Sequence, residues 1–179
     1  MDGCAMMERF ETMLTGGHPN SLGSTIEVVE ITLVSPDRFE ELFNCYRSED
    51  AIVRLRTSNA MRRVEAERHD LLVHYIDRFI HEIGALDQPS AQWTLAVLFR
   101  LLERDMTEHQ RTKALAVMKR NLAEHDDWIV LNNSIETLTL WALDDGVLAD
   151  WLRPHLERLK ADPRKSVAAR ARKFAAKLG

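Results

Sequence analysis

The chain contains few residues that interrupt regular structure and few cysteines. Of its 179 residues, 7 are glycine, 5 are proline and 2 are cysteine. The scarcity of glycine and proline leaves little of the chain for irregular loops. Two cysteines are too few for the disulfide framework of a small secreted domain. We therefore expect free thiols in a reducing compartment, with Cys45 as a small core residue because it lies on the apolar stripe of a predicted helix.

Long apolar segments are also missing. A membrane-spanning helix needs about 20 consecutive apolar residues, and the longest candidate, 26–34, is interrupted by Glu27 and Glu30. The first residues lack the basic start and apolar run of a secretion signal. These observations predict a cytoplasmic protein that has no membrane partner.

The charge is slightly acidic overall and unevenly distributed. The net charge of −4 argues against a dedicated nucleic-acid binder with a basic body. Residues 1–50 carry 10 acidic and 3 basic side chains, whereas residues 160–179 carry 7 basic and 1 acidic. Two interpretations of the basic end stay open. It is either a solvated terminal helix or a docking patch for an acidic partner, such as the first fifty residues of a second copy.

No recognisable catalytic or ligand-binding motif is present. The sequence has no glycine-rich phosphate loop, no nucleophile elbow and no paired-cysteine metal site. His81-Glu82 lacks the second histidine of a metalloprotease motif. Adjacent acids such as Asp126-Asp127 lie near predicted helix ends, where the helix dipole favours negative charge. We expect no catalytic residues, no cofactor and no metal.

A repeat with a nearly constant period is the strongest pattern in the chain. Aspartates open four apolar helical patterns, at Asp50, Asp87, Asp127 and Asp162. Equivalent positions in these patterns are 38, 39 and 37 residues apart, and they are occupied by Val53, Ala91, Val130 and Val167. A fixed period of this length predicts helical hairpins that stack on one another.

Apolar periodicity and capping signals predict ten helices in five hairpins. Their ranges are 4–14 and 22–34, 36–46 and 49–66, 70–83 and 88–104, 107–123 and 126–143, and 147–160 and 163–178. Thr107 and Gln110 have capping-box spacing, and Pro154 should kink its helix or mark its true start. The β-branched segment 25–34 has strand propensity, but no partner strand is visible, so we predict helix.

The expected fold is therefore all-α. It is a right-handed α-solenoid of about five hairpins, formed as a single domain over residues 1–179. Residues 1–35 form a degenerate N-terminal end hairpin, and residues 160–179 form a basic C-terminal capping helix.

The second helices of the hairpins resemble the HEAT repeat of the armadillo-like superfamily. The matching features are an aspartate before the helix, the Val53-Arg54 pair and small residues in the next turn, with Val167, Ala168 and Ala171 as a second example. The match is incomplete, since Ala91-Gln92 replaces the Val-Arg pair and Leu131 replaces the arginine after Val130. HEAT proteins are mostly binding scaffolds, so the resemblance implies a non-catalytic module that binds a protein or peptide.

In such a stack the second helices line a concave face. Residues three, six and ten positions after each equivalent position should be exposed there, and these are Arg56, Asn59, Arg63, Thr94, Val97, Leu101, Asn133, Glu136, Leu140, Arg170, Lys173 and Lys177. The candidate partner-binding residues are the polar ones at the two ends of this stripe and in its third repeat: Arg56, Asn59, Arg63, Asn133, Glu136, Arg170, Lys173 and Lys177. The alternative interpretation is that these are ordinary solvated side chains.

A second function class comes from the same resemblance. Some HEAT-like proteins are DNA glycosylases that use aromatic and acidic groups on a concave face, and Asp127-Trp128 is loosely similar to that combination. An accessory subunit of an enzyme is a further alternative. The net acidic charge would make phosphate binding weak, so we interpret the four tryptophans as packing residues.

Overall fold

A computed structural model describes residues 8–18 and 20–179. All regular structure in these residues is helical, and they contain no β-strand. The prediction of an all-α chain is confirmed, including the β-branched segment, which is helical over Thr25–Val34. Cys4 and the first residues of the predicted helix 4–14 lie outside the described residues. The chain divides into two compact units, Met1–His74 and Tyr75–Gly179. The single repeat domain with its 1–35 end hairpin and its capping helix stays a prediction.

The described residues of the first unit form five α-helices. They are α1 (Phe10–Leu14), α2 (Thr25–Val34), α3 (Phe39–Asn44), α4 (Ala51–Glu67) and α5 (His69–Val73), with short 3-10 turns at Pro36–Arg38 and Cys45–Arg47. The long helix α4 packs against α2, α1 and α5. Its buried side chains include Val53, Ala60, Met61 and Val64, which recur at helical spacing and form one apolar face.

Cys45 is buried as expected, and burial raises the pKa of its thiol to about 12.

Arg56 is the largest fully buried side chain of the first unit, with 2% of its surface exposed. Its guanidinium donates hydrogen bonds to four backbone carbonyls, those of Leu14 at 2.7 Å, Gly16 at 2.6 Å, His18 at 3.3 Å and Ser21 at 3.2 Å. The prediction that Arg56 is exposed on a binding face is therefore wrong. A buried charge is tolerated only when it is well hydrogen-bonded, and here the loop between α1 and α2 supplies the acceptors.

The conformation of that loop depends on glycine. Gly16, Gly17 and Gly23 all have positive φ angles, of 75°, 74° and 50°, which side chains rarely adopt. A Cβ atom at Gly23 would lie 2.8 Å from the Cζ atom of Arg56. The glycines therefore allow the backbone to curve closely around the guanidinium.

The second unit contains six α-helices. They are α6 (Ile76–His81), α7 (Pro89–Leu102), α8 (Glu108–Glu124), α9 (Trp128–Ala142), α10 (Gly146–Lys160) and α11 (Lys165–Ala175), with 3-10 turns at Ile83–Ala85 and Glu103–Asp105. Helix α9 packs against α7, α8, α10 and α11. The Thr137 hydroxyl on α9 also donates a 2.6 Å hydrogen bond to the carbonyl of Ala96 on α7. Helix α9 is thus the central element of this unit.

The predicted helix starts have mixed outcomes. Thr107 and Gln110 form the capping box, and Asp50 and Asp127 cap α4 and α9. Asp87 does not cap α7, because the residue before this helix is Gln88 and no side chain bonds to its first amides. Asp162 also does not cap a helix. It accepts hydrogen bonds from the amide and guanidinium of Arg164, which lower the pKa of its carboxyl group.

The prediction that Pro154 could mark the start of a helix is wrong. Helix α10 begins at Gly146, where the Asp145 carboxylate accepts a hydrogen bond from the amide of Leu148, and it runs through Pro154 to Lys160. An early cap therefore sets the start of this helix, and the proline lies in its interior.

Replacing Arg56 tests whether the buried guanidinium organises the first unit. We expect Arg56→Met to lower the free energy of unfolding by about 2 kcal/mol, because four carbonyls, including the buried carbonyl of Leu14, lose their donor. Urea unfolding followed by far-ultraviolet circular dichroism measures the change. Arg63→Met is the matched control, since Arg63 is exposed on the same helix. Equal stability of the two variants would refute the role of Arg56.

The two aspartates Asp87 and Asp127 provide a paired test of capping. The Asp127 carboxylate accepts hydrogen bonds from the amides of Ile129 at 2.8 Å and Val130 at 3.0 Å. We expect Asp127→Ala to cost about 1 kcal/mol of stability, the usual value for a lost N-cap. Asp87→Ala should change stability by a smaller amount, because Asp87 caps nothing. Urea unfolding of both variants gives the comparison, and an equal loss in both would contradict the assignment.

Candidate functional site

Three helices of the second unit are linked by ion pairs at one surface. Glu136 on α9 pairs with Arg100 on α7 and with Arg170 on α11. The Oε1 atom of Glu136 is 2.7 Å from Nη1 of Arg100, and Oε2 is 2.6 Å from Nη1 of Arg170. One carboxylate is thus shared by two guanidinium groups, and the three side chains together carry a net charge of +1.

The position of Glu136 follows from how α9 is packed. Most residues of α9 are buried among its four neighbouring helices. Apart from the exposed Trp128 at its first position, the incompletely buried positions of α9 recur at spacings of four and three residues: Ile129, Asn133, Glu136 and Leu140, and Leu143 follows directly after the helix. Such spacing defines one narrow stripe along a helix. Within the described residues, this stripe and Trp128 are the parts of α9 available to a partner.

Apolar side chains lie on the same surface as the ion pairs. Leu140 is one helical turn after Glu136 and is half-buried, and Leu143 follows with 51% of its surface exposed. Leu101, which follows Arg100 on α7, is 43% exposed. These leucines add apolar area beside the charged groups that a partner would bury on binding.

A cluster of cations on α11 extends this surface. The charged groups of Arg170, Lys173 and Lys177 lie 5.7, 5.6 and 5.0 Å from the ring centroid of Phe174, which is buried beneath them. Each distance is within the range of a cation–π interaction. The three positive groups therefore lie close together around one aromatic ring, and Arg170 among them is also paired with Glu136.

We use the term binding face for the surface that these residues form. Its members are Arg100, Leu101, Glu136, Leu140, Leu143, Arg170, Lys173 and Lys177. It contains four cations, one carboxylate and three leucines. The ion pairs are partly exposed, so each contributes about 1 kcal/mol or less to stability and leaves the side chains able to exchange partners.

The candidate residues from the sequence are distributed between the two units. Arg56, Asn59 and Arg63 belong to the first unit, where Arg56 is buried and Asn59 donates a 3.2 Å hydrogen bond to the Leu55 carbonyl of its own helix. In the second unit, Asn133 similarly donates to the Ile129 carbonyl at 3.0 Å. The structure brings Glu136 and Arg170 into contact, and Lys173 and Lys177 adjoin them.

Arg100 is the functional candidate that the sequence analysis missed. It lies nine residues after Ala91, between the expected exposed positions. At the first two of those positions on α7, Thr94 and Val97 are buried. The positions expected to be exposed on α7 were therefore wrong by one residue at this point, where Arg100 is accessible. Leu101 is nevertheless exposed as expected. The sequence signal that could have identified Arg100 is that it is the only charged residue within α7.

Of the two residues suggested for DNA glycosylase chemistry, Asp127 has a structural role and Trp128 is exposed. The carboxylate of Asp127 accepts hydrogen bonds from two amides at the start of α9, and this engagement makes it a poor catalytic base. Trp128 is 49% exposed, whereas Trp141 is buried.

Among the described residues, no three histidine, cysteine or acidic side chains are grouped as metal ligands. In the same part of the chain, no helix has both the length and the apolar character to cross a membrane.

Replacing Glu136 tests the shared ion pair. We expect Glu136→Gln to destabilise the chain by about 1 kcal/mol at low salt, because Arg100 and Arg170 would lose their common counter-ion. The loss should shrink at high salt, since ions screen the remaining repulsion between the arginines. Urea unfolding at two salt concentrations measures both effects. Glu124→Gln is the control, and a salt-independent loss would contradict the electrostatic explanation.

No protein-family model matches this chain, and comparisons with curated proteins and with solved structures also find no match.

Proposed function

We propose that this protein is a non-catalytic binding module that recognises an acidic segment of a partner protein through the binding face. The observation that carries the proposal is that Glu136 pairs with Arg100 and Arg170 while Lys173 and Lys177 adjoin Arg170 on α11, accompanied by exposed leucines. Such a surface complements a segment that alternates acidic and apolar side chains. Electrostatic complementarity of this kind increases the rate and specificity of association.

The proposed architecture is a HEAT-like α-solenoid, in which α7, α9 and α11 are the second helices of successive hairpins. Two observations support this arrangement. Helix α9 packs against both α7 and α11, and Glu136 reaches an arginine on each of them. In a solenoid, side chains of equivalent helices line a continuous surface on which an extended segment binds.

The chemistry of Glu136 suggests how a ligand would bind. Its carboxylate accepts a hydrogen bond from Arg170 and lies within ion-pair distance of Arg100, so it stands in the place that a ligand carboxylate would take. Guanidinium groups carry several N–H donors and favour planar carboxylates. A ligand acid would share or displace this contact at small cost, because the existing ion pairs are partly exposed and weak. Lys173 and Lys177 would bind the next acidic group.

A nucleic-acid enzyme or an enzyme accessory subunit is the alternative. It has weaker support, because Asp127 is engaged in helix capping and the chain is net acidic. The cationic cluster on α11 is nevertheless a possible phosphate contact. For this reason a nucleic-acid probe belongs in the same experiment as the peptide.

Fluorescence anisotropy with three labelled probes tests the proposal. They are a peptide of repeating Glu-Glu-Leu, the same peptide with glutamine in place of glutamate, and a single-stranded DNA of equal length. We expect the full chain to bind the acidic peptide most tightly, and the affinity to fall as salt increases. Lys173→Glu plus Lys177→Glu should weaken binding about tenfold or more, which corresponds to about 1.4 kcal/mol.

The control and the contradicting results are specific. Arg62→Glu plus Lys113→Glu makes the same change of charge at exposed residues outside the binding face and should leave affinity nearly unchanged. Equal loss in both double variants would indicate a general charge effect and contradict the site. Tighter binding of the DNA, or failure to bind the acidic peptide, would contradict the proposed function.

A further inference from the structure

A separate polar pocket lies in the second unit, between the turn after α6 and the end of α8. Its volume is about 270 Å³. The polar side chains that line it are Asp87, Gln92, Arg120, Asn121, Glu124 and His125. None of them belongs to the binding face. The pocket is therefore a separate candidate site.

The floor of the pocket is a rigid network of buried amides. Gln92 and Asn121 are 3% and 2% exposed. The Nε2 atom of Gln92 donates to the carbonyls of Leu86 at 2.7 Å and Ile83 at 3.1 Å, while its Oε1 atom accepts from Nδ2 of Asn121 at 2.9 Å. Buried polar networks whose members are bonded hold one geometry. The floor is thus organised before any ligand binds.

Arg120 is positioned beside this floor by hydrogen bonds rather than by an ion pair. Its Nη2 atom donates to the carbonyl of Gly84 at 2.6 Å and to Oδ1 of Asn121 at 3.3 Å. Within the described residues it pairs with no carboxylate, even though Glu124 follows it by one helical turn and lines the same pocket. The guanidinium therefore keeps donors, on Nε and Nη1, that an anionic group could use.

Two carboxylates provide the opposite charge at the same pocket. In the described part of the chain, neither Asp87 nor Glu124 forms an ion pair or a side-chain hydrogen bond. Glu124 is the last residue of α8, at the negative end of the helix dipole, where a cation is favoured. His125 accepts a 3.0 Å hydrogen bond from the Asp127 amide at Nδ1, so the neutral ring carries its proton on Nε2 and adds a donor.

We propose that this pocket binds a free α-amino acid, with its carboxylate on Arg120 and its ammonium group between Asp87 and Glu124. Unpaired charges of both signs lie around one small cavity, on the exposed side chains of Asp87, Arg120 and Glu124. A ligand that carries both charges would pair with groups of each sign, whereas a ligand with one charge would pair with groups of one sign only. The volume of about 270 Å³ is just below the range of about 300–1,000 Å³ that holds drug-sized ligands, which favours a small ligand. The buried amides would then contact the ligand side chain.

Isothermal titration calorimetry of the full chain with each of the twenty amino acids tests the proposal. We expect at least one to bind with a dissociation constant of about 1 mM or lower, equivalent to about −4 kcal/mol. Its N-acetyl derivative lacks the ammonium group and its carboxamide lacks the carboxylate. Both derivatives should bind about tenfold more weakly or not measurably. Absence of binding by all twenty amino acids, or equal binding of either derivative, would overturn the proposal.

Variants locate the site independently of the peptide experiment. Glu124→Gln and Arg120→Gln should each reduce amino-acid affinity about tenfold, since each removes one of the two charges. Glu124 makes no side-chain bond in the described residues, so this variant should fold normally, and circular dichroism checks it. Glu108→Gln and Lys113→Gln are matched controls on the same helix, and they should bind like the unchanged chain. Unaltered binding by Glu124→Gln and Arg120→Gln would show that any ligand binds elsewhere. Because these residues are outside the binding face, the result is distinguishable from success or failure of acidic-peptide binding.

Discussion

The burial of α9 on nearly every side is the constraint on which the second unit depends. A helix that is covered by four neighbours must supply small or apolar residues to each of them, and α9 does so with Val130, Ser134, Ile135 and Leu138. Apart from Trp128 at the start of the helix, only one stripe is left incompletely covered. A charge on this helix is tolerated there and nowhere else, because a buried unpaired carboxylate would be costly. Glu136 is the one charged residue of α9, and its two arginine partners come from the helices on which α9 packs.

The requirement that a buried polar or charged group be hydrogen-bonded also explains the polar interior of both units. Arg56 lies at the centre of the first unit without a carboxylate partner among the described residues, and loop carbonyls surround its guanidinium. Gln92 and Asn121 are equally buried in the second unit and bond to each other. In each case the backbone of an irregular segment is held in place by a side chain from a regular helix.

Much of the helical structure was predictable, because local physical chemistry dictates it. The spacing of apolar residues located most of the helices, and the Thr107 capping box marked the start of α8 correctly. The predicted single helix 70–83 is wrong, since the chain forms two helices there, α5 and α6. The aspartates illustrate the limit of such signals. Asp127 caps α9, whereas the similar Asp162 instead bonds to Arg164. An aspartate before a helix has several backbone and side-chain donors within reach. The donor to which its carboxylate bonds depends on where the neighbouring backbone lies.

The sequence by itself determined that the chain is helical, that its helices have apolar faces to bury, and that its end is basic. These properties depend on composition and on a spacing of three to four residues, which act within a few turns. Tertiary structure decided which polar residues are accessible. Arg56, Arg63 and Arg100 are all arginines on helices with apolar stripes, yet the first is buried under a loop, the second is exposed and the third pairs across to α9. The positions of Arg56 and Arg100 depend on contacts with segments 35 to 42 residues distant in the chain, which no local pattern encodes.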